Sequence, residues 1–285
     1  MRIVQITDTH LSPSKAHFTK NWRPLVEWLE EVQPDLVIHT GDLAVDGADF
    51  DDDLTFCADL LGELNMPVLC VPGNHDVGHL PSSLQPVNDE RLERWRDLVG
   101  PDRWLHDQSG WRLIGLNSLL LGSGHAEEEE QFQWLEDALK GANGNPVAIF
   151  AHKPLFVDSP DEGDSGYWGA SPKDRKRLLD LFSTYNVRLY ASGHLHRAWA
   201  GHHQGISLIW GPSSGFIVGP MERDLPGERI VGAVIHTLTD TVHSEITELT
   251  QLRPYLLDDV VHEVYPTSHT AVITTPAGAD ETEQA

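Results

Sequence analysis

Basic residues are scarce in this chain. Lysine and arginine together number 20 against 44 aspartates and glutamates in 285 residues, a formal net charge of −24. Such a field repels duplex nucleic acid and anionic lipid, which excludes a protein that grips a phosphate backbone by charge alone. Any anionic ligand therefore needs local positive charge, and with few cationic side chains available, metal ions are one source of it. Cysteine is scarcer still. Cys57 and Cys70 are the only two, and they do not form a CxxC pattern. Free thiols in a reducing compartment are expected rather than a disulfide. No apolar run reaches the length of a membrane span, and the opening MRIVQITDTH enters a strand with no apolar leader segment. A cytoplasmic location without a membrane partner is the expectation. Internal repeats of solenoid length are absent too.

What is present is a hydrophobic content of 40%, enough for a substantial core. Short β-branched runs alternate with amphipathic stretches through the first two hundred residues, the pattern of a layered α/β domain. Strands are predicted at Ile3–Thr7, Leu36–Thr40, Val68–Val71, Leu113–Asn117, Val147–Ala151 and Arg188–Ala191, and helices at Asn21–Val32, Leu54–Leu64, Asp89–Val99, Glu128–Leu139 and Pro172–Tyr185. After His196 the runs Ala198–His202, Ser207–Trp210, Arg229–His236 and Val242–Thr247 alternate with Gly/Pro turns and read as an antiparallel meander. One domain over residues 1–265 is expected, its antiparallel part beginning near residue 197, with 266–285 as a mobile acidic tail. The segment SPDEGDSGYWGASP, residues 159–172, is too long for an economical connection and is a candidate active-site loop.

Strand after strand ends in a metal-ligand type of residue. The first runs into Thr7-Asp8-Thr9-His10, the second into Gly41-Asp42 and the third into Gly73-Asn74-His75-Asp76. Later strands run into Ala151-His152 and Gly193-His194-Leu195-His196. Each piece alone says little, since Gly-Asp is ordinary turn chemistry and His-x-His can arise by accident. Together they matter, because ligands in open α/β sheets collect at the carboxyl ends of strands. Asp8, His10, Asp42, Asn74, His152, His194 and His196 are too many for one tetrahedral zinc. They suit two ions sharing a carboxylate, and the mixed donor set favours Mn, Fe, Zn or Co.

In that order, DTH, GD, GNHD, AH and GHLH resemble the calcineurin-like metallophosphoesterases, with the nearest likeness to bacterial class III cyclic-nucleotide and glycerophosphodiester phosphodiesterases. The resemblance covers about the first 200 residues, with every expected ligand present. It implies a four-layer α/β/β/α sandwich of two mixed sheets with a dinuclear site at one edge. It also implies that Asp8, His10 and His196 bind one ion, that Asn74, His152 and His194 bind the other, and that Asp42 bridges them. The implied reaction is hydrolysis of a small phosphodiester, a 3′,5′-cyclic nucleotide or glycerophosphodiester, by in-line attack of a hydroxide held by both metals. His75 would contact the phosphoryl oxygen or protonate the leaving alkoxide, its ring oriented by Asp46 or Asp76, although Asp76 also suits a cap on the following turn. A phosphomonoesterase with the same metals is the alternative.

Other residues carry weaker signals. His39 is expected to pack rather than support the site, while Tyr167, Trp168 and His202 are candidate substrate contacts. Arg197 directly follows the His-x-His pair but does not decide between substrates. Phe216, Ile217 and Val218 suit a lid or a dimer contact, and a homo-oligomer is allowed. Glu127–Glu130 and Asp49–Asp53 are acidic leads into helices.

Overall fold

A computed structural model describes residues 1–221 and 223–265. The chain begins with β1 (Arg2–Ile6), α1 (Trp22–Val32), β2 (Leu36–His39), α2 (Asp51–Gly62), β3 (Val68–Cys70), the single-turn α3 (Asn74–Val77) and α4 (Asp89–Leu98). It continues through β4 (Trp104–Gln108), β5 (Trp111–Leu116), α5 (Glu127–Gly141), β6 (Val147–Ala151), α6 (Pro172–Thr184) and β7 (Val187–Ser192). Last come β8 (Trp199–His203), β9 (Ile206–Trp210), β10 (Phe216–Ile217), β11 (Gly232–Leu238), β12 (Val242–Glu248), β13 (Tyr255–Leu256) and α7 (Val261–Val264).

Two large mixed sheets result, in the orders β12-β11-β1-β2-β3 and β4-β5-β6-β7-β9-β8. Strand alternation sorts their side chains into three apolar layers. Ile3, Ile38, Leu113, Phe150, Leu189 and Ile209 meet between the sheets. Val4, Ile6 and Val37 face the other way, onto Leu25 and Leu29 of α1, Leu54 of α2 and Trp95 of α4. Ile114, Ile149, Tyr190 and Leu208 likewise face Phe132 and Leu135 of α5 and Leu178 and Phe182 of α6. Four layers around three cores follow, the sandwich that the resemblance implied.

The meander expected after His196 is a correction. Those strands do not form one unit. β8 and β9 pair antiparallel, but β9 joins β7 in parallel in the second sheet, whereas β11 and β12 complete the first sheet beside β1. Period-two alternation marks a strand but carries no information about which sheet receives it. The sequence reading also missed β4 and the helical turn α3. α2 begins three residues before its predicted start, with Asp51, Asp52 and Asp53 in the first turn, where the helix dipole favours them. Cys57 and Cys70 are free. No helix among the described residues is long and apolar enough to cross a membrane. The predicted tail, 266–285, lies outside the described residues.

Candidate metal centre

The parallel strands β1, β2, β3, β6 and β7 deliver their carboxyl ends to one edge of the sandwich, where Asp8, His10, Asp42, Asn74, His152, His194 and His196 are all buried. Three sets place their ligand atoms within 4.8 Å of one another: Asp8–His10–His196, Asp42–His152–His194 and His10–Asp42–His75. Glycine makes the approach close. A Cβ on Gly73 would collide with the Asp42 carboxylate, and one on Gly193 with Thr7 and Asp8.

The backbone here is strained. Among the described residues nine non-glycine residues have positive φ, and five of these are Asp8, His10, Asp42, His194 and His196, at 53°, 44°, 53°, 70° and 50°. Each left-handed residue costs on the order of 1 kcal/mol. Cross-loop hydrogen bonds hold this geometry, Asp8 N–H donating to Gly41 O at 2.9 Å and His10 N–H to Asp42 O at 3.2 Å. Buried His39 accepts the Gly41 N–H on Nδ1 at 3.2 Å, so its Nε2–H donates to Thr9 Oγ1 at 3.0 Å. It therefore ties the first two loops together in addition to packing.

The tautomers follow from the outward nitrogens. His152 Nδ1 lies 2.8 Å from Thr40 O, His196 Nδ1 3.1 Å from Phe216 O, and His194 Nε2 2.9 Å from Tyr167 O. A carbonyl only accepts, so each of these nitrogens carries the proton and the inward nitrogen of the neutral ring presents a lone pair. Inward, His194 Nδ1 stands 3.1 Å from His152 Nε2, and His10 Nε2 stands 3.3 Å from His196 Nε2. Carboxylate oxygens join them. Asp8 Oδ1 is 3.2 Å from His196 Nε2 and has no hydrogen-bond partner among the described residues, while Asp42 Oδ2 lies 3.3 Å from His152 Nε2 and 3.8 Å from His10 Nε2. Lone pairs converging at such distances repel unless cations lie among them. The donor set fits metal ions, with Asp42 Oδ2 facing both halves.

The electrostatics point the same way. Burial works against a charged His152, yet the neighbouring Asp42 and Asp8 carboxylates hold its pKa up at about 9, so a cation is favoured at its Nε2, a proton without metal or a metal ion in that proton's place. Burial would raise the Asp8 and Asp42 pKa values, but the surrounding imidazoles keep both carboxyls below their usual range. Burial drives His10 and His194 toward the neutral form that a metal requires.

His75 stands at the rim of this centre. Its ring meets His10 edge-on at 5.1 Å, and its Nδ1 faces the Val45 carbonyl at 3.1 Å. Orientation of the ring by Asp46 is thus corrected, whereas Asp76 takes the capping role expected of it. Asp46 pairs with Lys15, and Asp76 accepts N–H groups from Gly73, Leu43 and Ala44 at 2.8, 3.1 and 3.0 Å, closing the turn.

A cleft of about 460 Å³ opens over these groups, lined further by Tyr167, Trp168, Leu195, Phe216, Val218, Met221, Leu257 and Tyr265. The 159–172 loop thus reaches the site. Asn74 Nδ2 donates to the Tyr167 hydroxyl at 3.2 Å, and Asn74 Oδ1 sits 3.2 Å from His152 Nε2. His202 is not brought in, because it is exposed on β8 and does not line the cleft. Arg197 is buried and does not line it either. Phe216 is neither lid nor exposed contact but a buried wall, its ring 4.3 Å from that of His196 and 4.7 Å from that of His10. Sequence reasoning missed Tyr265, whose hydroxyl lies 2.8 Å from His10 Nδ1. A lone tyrosine outside any motif gives no signal.

Residues 1–198 match the calcineurin-like phosphoesterase family. The chain belongs to that family. Among curated relatives, a serine/threonine-protein phosphatase CPPED1 from Pongo abelii is 32% identical over 177 residues, covering 58% of this chain and 52% of that protein. The chain thus spans about half the length of the Pongo abelii and human CPPED1 relatives. A probable cyclic nucleotide phosphodiesterase from Psychrobacter arcticus is 26% identical over 248 residues, covering 81% of this chain and 86% of the relative. The fold resembles purple acid phosphatase PPD1 from yellow lupin, with a TM-score of 0.65 at 16% identity over 90% of this chain and 52% of that one.

Proposed function

We propose that this phosphoesterase hydrolyses a small phosphodiester, a 3′,5′-cyclic nucleotide or a glycerophosphodiester, at a two-metal centre. The observation that carries this reading is the convergence of inward lone pairs on two buried carboxylates. Asp8, His10 and His196 would hold one ion, Asn74, His152 and His194 the other, and Asp42 would bridge them, with Mn, Fe, Zn or Co as candidates. Bound there, divalent ions supply an activated water and offset the charge that grows on the phosphoryl oxygens.

The chain's own residues supply the rest. His75 Nδ1–H is committed to Val45 O, so its Nε2 donates to a phosphoryl oxygen or leaving alkoxide only as imidazolium. Burial lowers the His75 pKa, and an anionic phosphoryl group beside it raises the pKa again. Tyr167 and Trp168 offer ring faces to the alcohol or base of the substrate. No lysine or arginine lines the cleft among the described residues. That supports a singly charged diester over a doubly charged monoester, which usually recruits an arginine fork. The strongly acidic surface supports a small substrate over a nucleic-acid polymer, and the free Cys57 and Cys70 support a reducing, cytoplasmic setting.

Mn-reconstituted protein should turn over bis-p-nitrophenyl phosphate, cyclic nucleotides or glycerophosphodiesters faster than p-nitrophenyl phosphate. Monoester turnover above every diester overturns the assignment. It would favour phosphomonoester hydrolysis, the second reading, which the phosphatase name of the CPPED1 relatives supports.

A further inference from the structure

Four histidines present an inward nitrogen to the centre, and three of them tie the outward nitrogen to a main-chain carbonyl. His10 is the exception. Its outward Nδ1 meets the Tyr265 hydroxyl at 2.8 Å, and the same phenol ring lies against His75 with centroids 4.6 Å apart at 32°. One side chain thus touches both a candidate ligand and the candidate proton donor. It comes from the last described residue of the chain, 255 positions from His10.

The segment that carries Tyr265 is fastened at several points. β13 pairs with β10, placing Tyr255 opposite Phe216. Asn21 Nδ2 donates to Arg253 O at 2.8 Å, and His17 lies 3.4 Å from Glu263. Lys15 Nζ donates to Val264 O at 2.7 Å while pairing with Asp46. These attachments lead to a tyrosine only 2% exposed, directly after a single-turn helix that could not hold it alone.

We propose that Tyr265 is a positioning residue of the metal centre: its hydroxyl oxygen accepts the His10 Nδ1–H, fixing Nε2 toward the ion, and its ring supports His75. A metal on Nε2 requires the proton on Nδ1, so the phenol oxygen accepts. Carbonyls impose the tautomer at the other three histidines, whereas a hydroxyl either donates or accepts. The His10 half of the centre therefore depends on a side chain that one substitution removes.

The inference rests on the two-metal reading, and chelator competition on the full-length Mn-loaded protein tests it. Tyr265→Phe keeps the ring and removes the oxygen. It should weaken retention of one ion about ten- to hundred-fold, leave the other unchanged, and recover kcat to within a few-fold at saturating Mn. Tyr265→Leu also removes the support for His75, so its kcat should stay low at saturating Mn. A merely structural tyrosine would lower the melting temperature of the metal-stripped protein and weaken both ions alike. That result overturns the proposal, as does Tyr265→Phe with wild-type retention of both ions. Wild-type protein that takes up no metal overturns the proposed function as well.

Discussion

The two candidate halves of the centre both face Asp42 but are built differently. Around His152 and His194 every outward nitrogen meets a main-chain carbonyl, Thr40 O or Tyr167 O, and the tautomers follow from the backbone path alone. Around His10 and His196 one partner is Phe216 O and the other is the Tyr265 hydroxyl, delivered by the C-terminal segment. Backbone acceptors survive side-chain substitution and a phenol does not. The first half is therefore robust by construction, and the second depends on docking of a distant segment.

Substitution of the ligands breaks the comparison most directly. His194→Ala and His196→Ala should each lose one ion of two, a different one in each case, and lower kcat about a thousand-fold. Asp42→Asn should weaken both ions together. Metal stoichiometry by elemental analysis checks this, and identical losses from all three variants would show one indivisible site. His75→Ala should retain both ions and lose about a hundred-fold in kcat, since general acid catalysis contributes about that much or more. Loss of an ion instead would make His75 a ligand alongside His10 and Asp42, a set whose donor atoms also lie within 4.8 Å of one another.

Smaller effects sharpen the contrast. Tyr167→Phe removes the hydroxyl from Asn74 but leaves the main-chain carbonyl on His194. Metal retention should be unchanged and kcat should fall by less than about tenfold, whereas the corresponding change at Tyr265 should release metal. Glu127 lies away from both halves and tests stability without chemistry. Hydrogen bonds from Arg96 hold its carboxyl down at about 2, so its folded pKa is depressed below the unfolded value of 4.5. The stabilisation is therefore present above about pH 4.5 and is lost as pH falls toward 2. Glu127→Gln should cost about 1 kcal/mol at pH 7, after allowance for solvent screening, and nothing near pH 2. Denaturant melts at both pH values measure this, and an equal loss at both would remove the ion pair as the cause.

Much of the molecule is legible in its sequence. The five central helices were placed to within about three residues at each end, because each carries one apolar stripe and recognisable end signals. The candidate ligands were legible because strand ends carry chemistry in α/β folds, and five such ends carried it here. Illegible were the supporting contacts, since Thr40, Val45 and Phe216 contribute carbonyl oxygens that every residue type has. His202 illustrates the opposite error. Histidine after a ligand strand looks relevant, yet β8 turns it to solvent.

By itself the sequence determined the layers, through alternation along each strand, and the candidate donor groups at the strand ends, through residue type. Only the tertiary structure decided which sheet received each late strand, which nitrogen of each imidazole faces inward, and that Tyr265 closes on His10. Alternation and residue type are local properties of the chain. Sheet partners, tautomers and long-range docking depend on which distant groups arrive within hydrogen-bonding distance, and no local pattern encodes that.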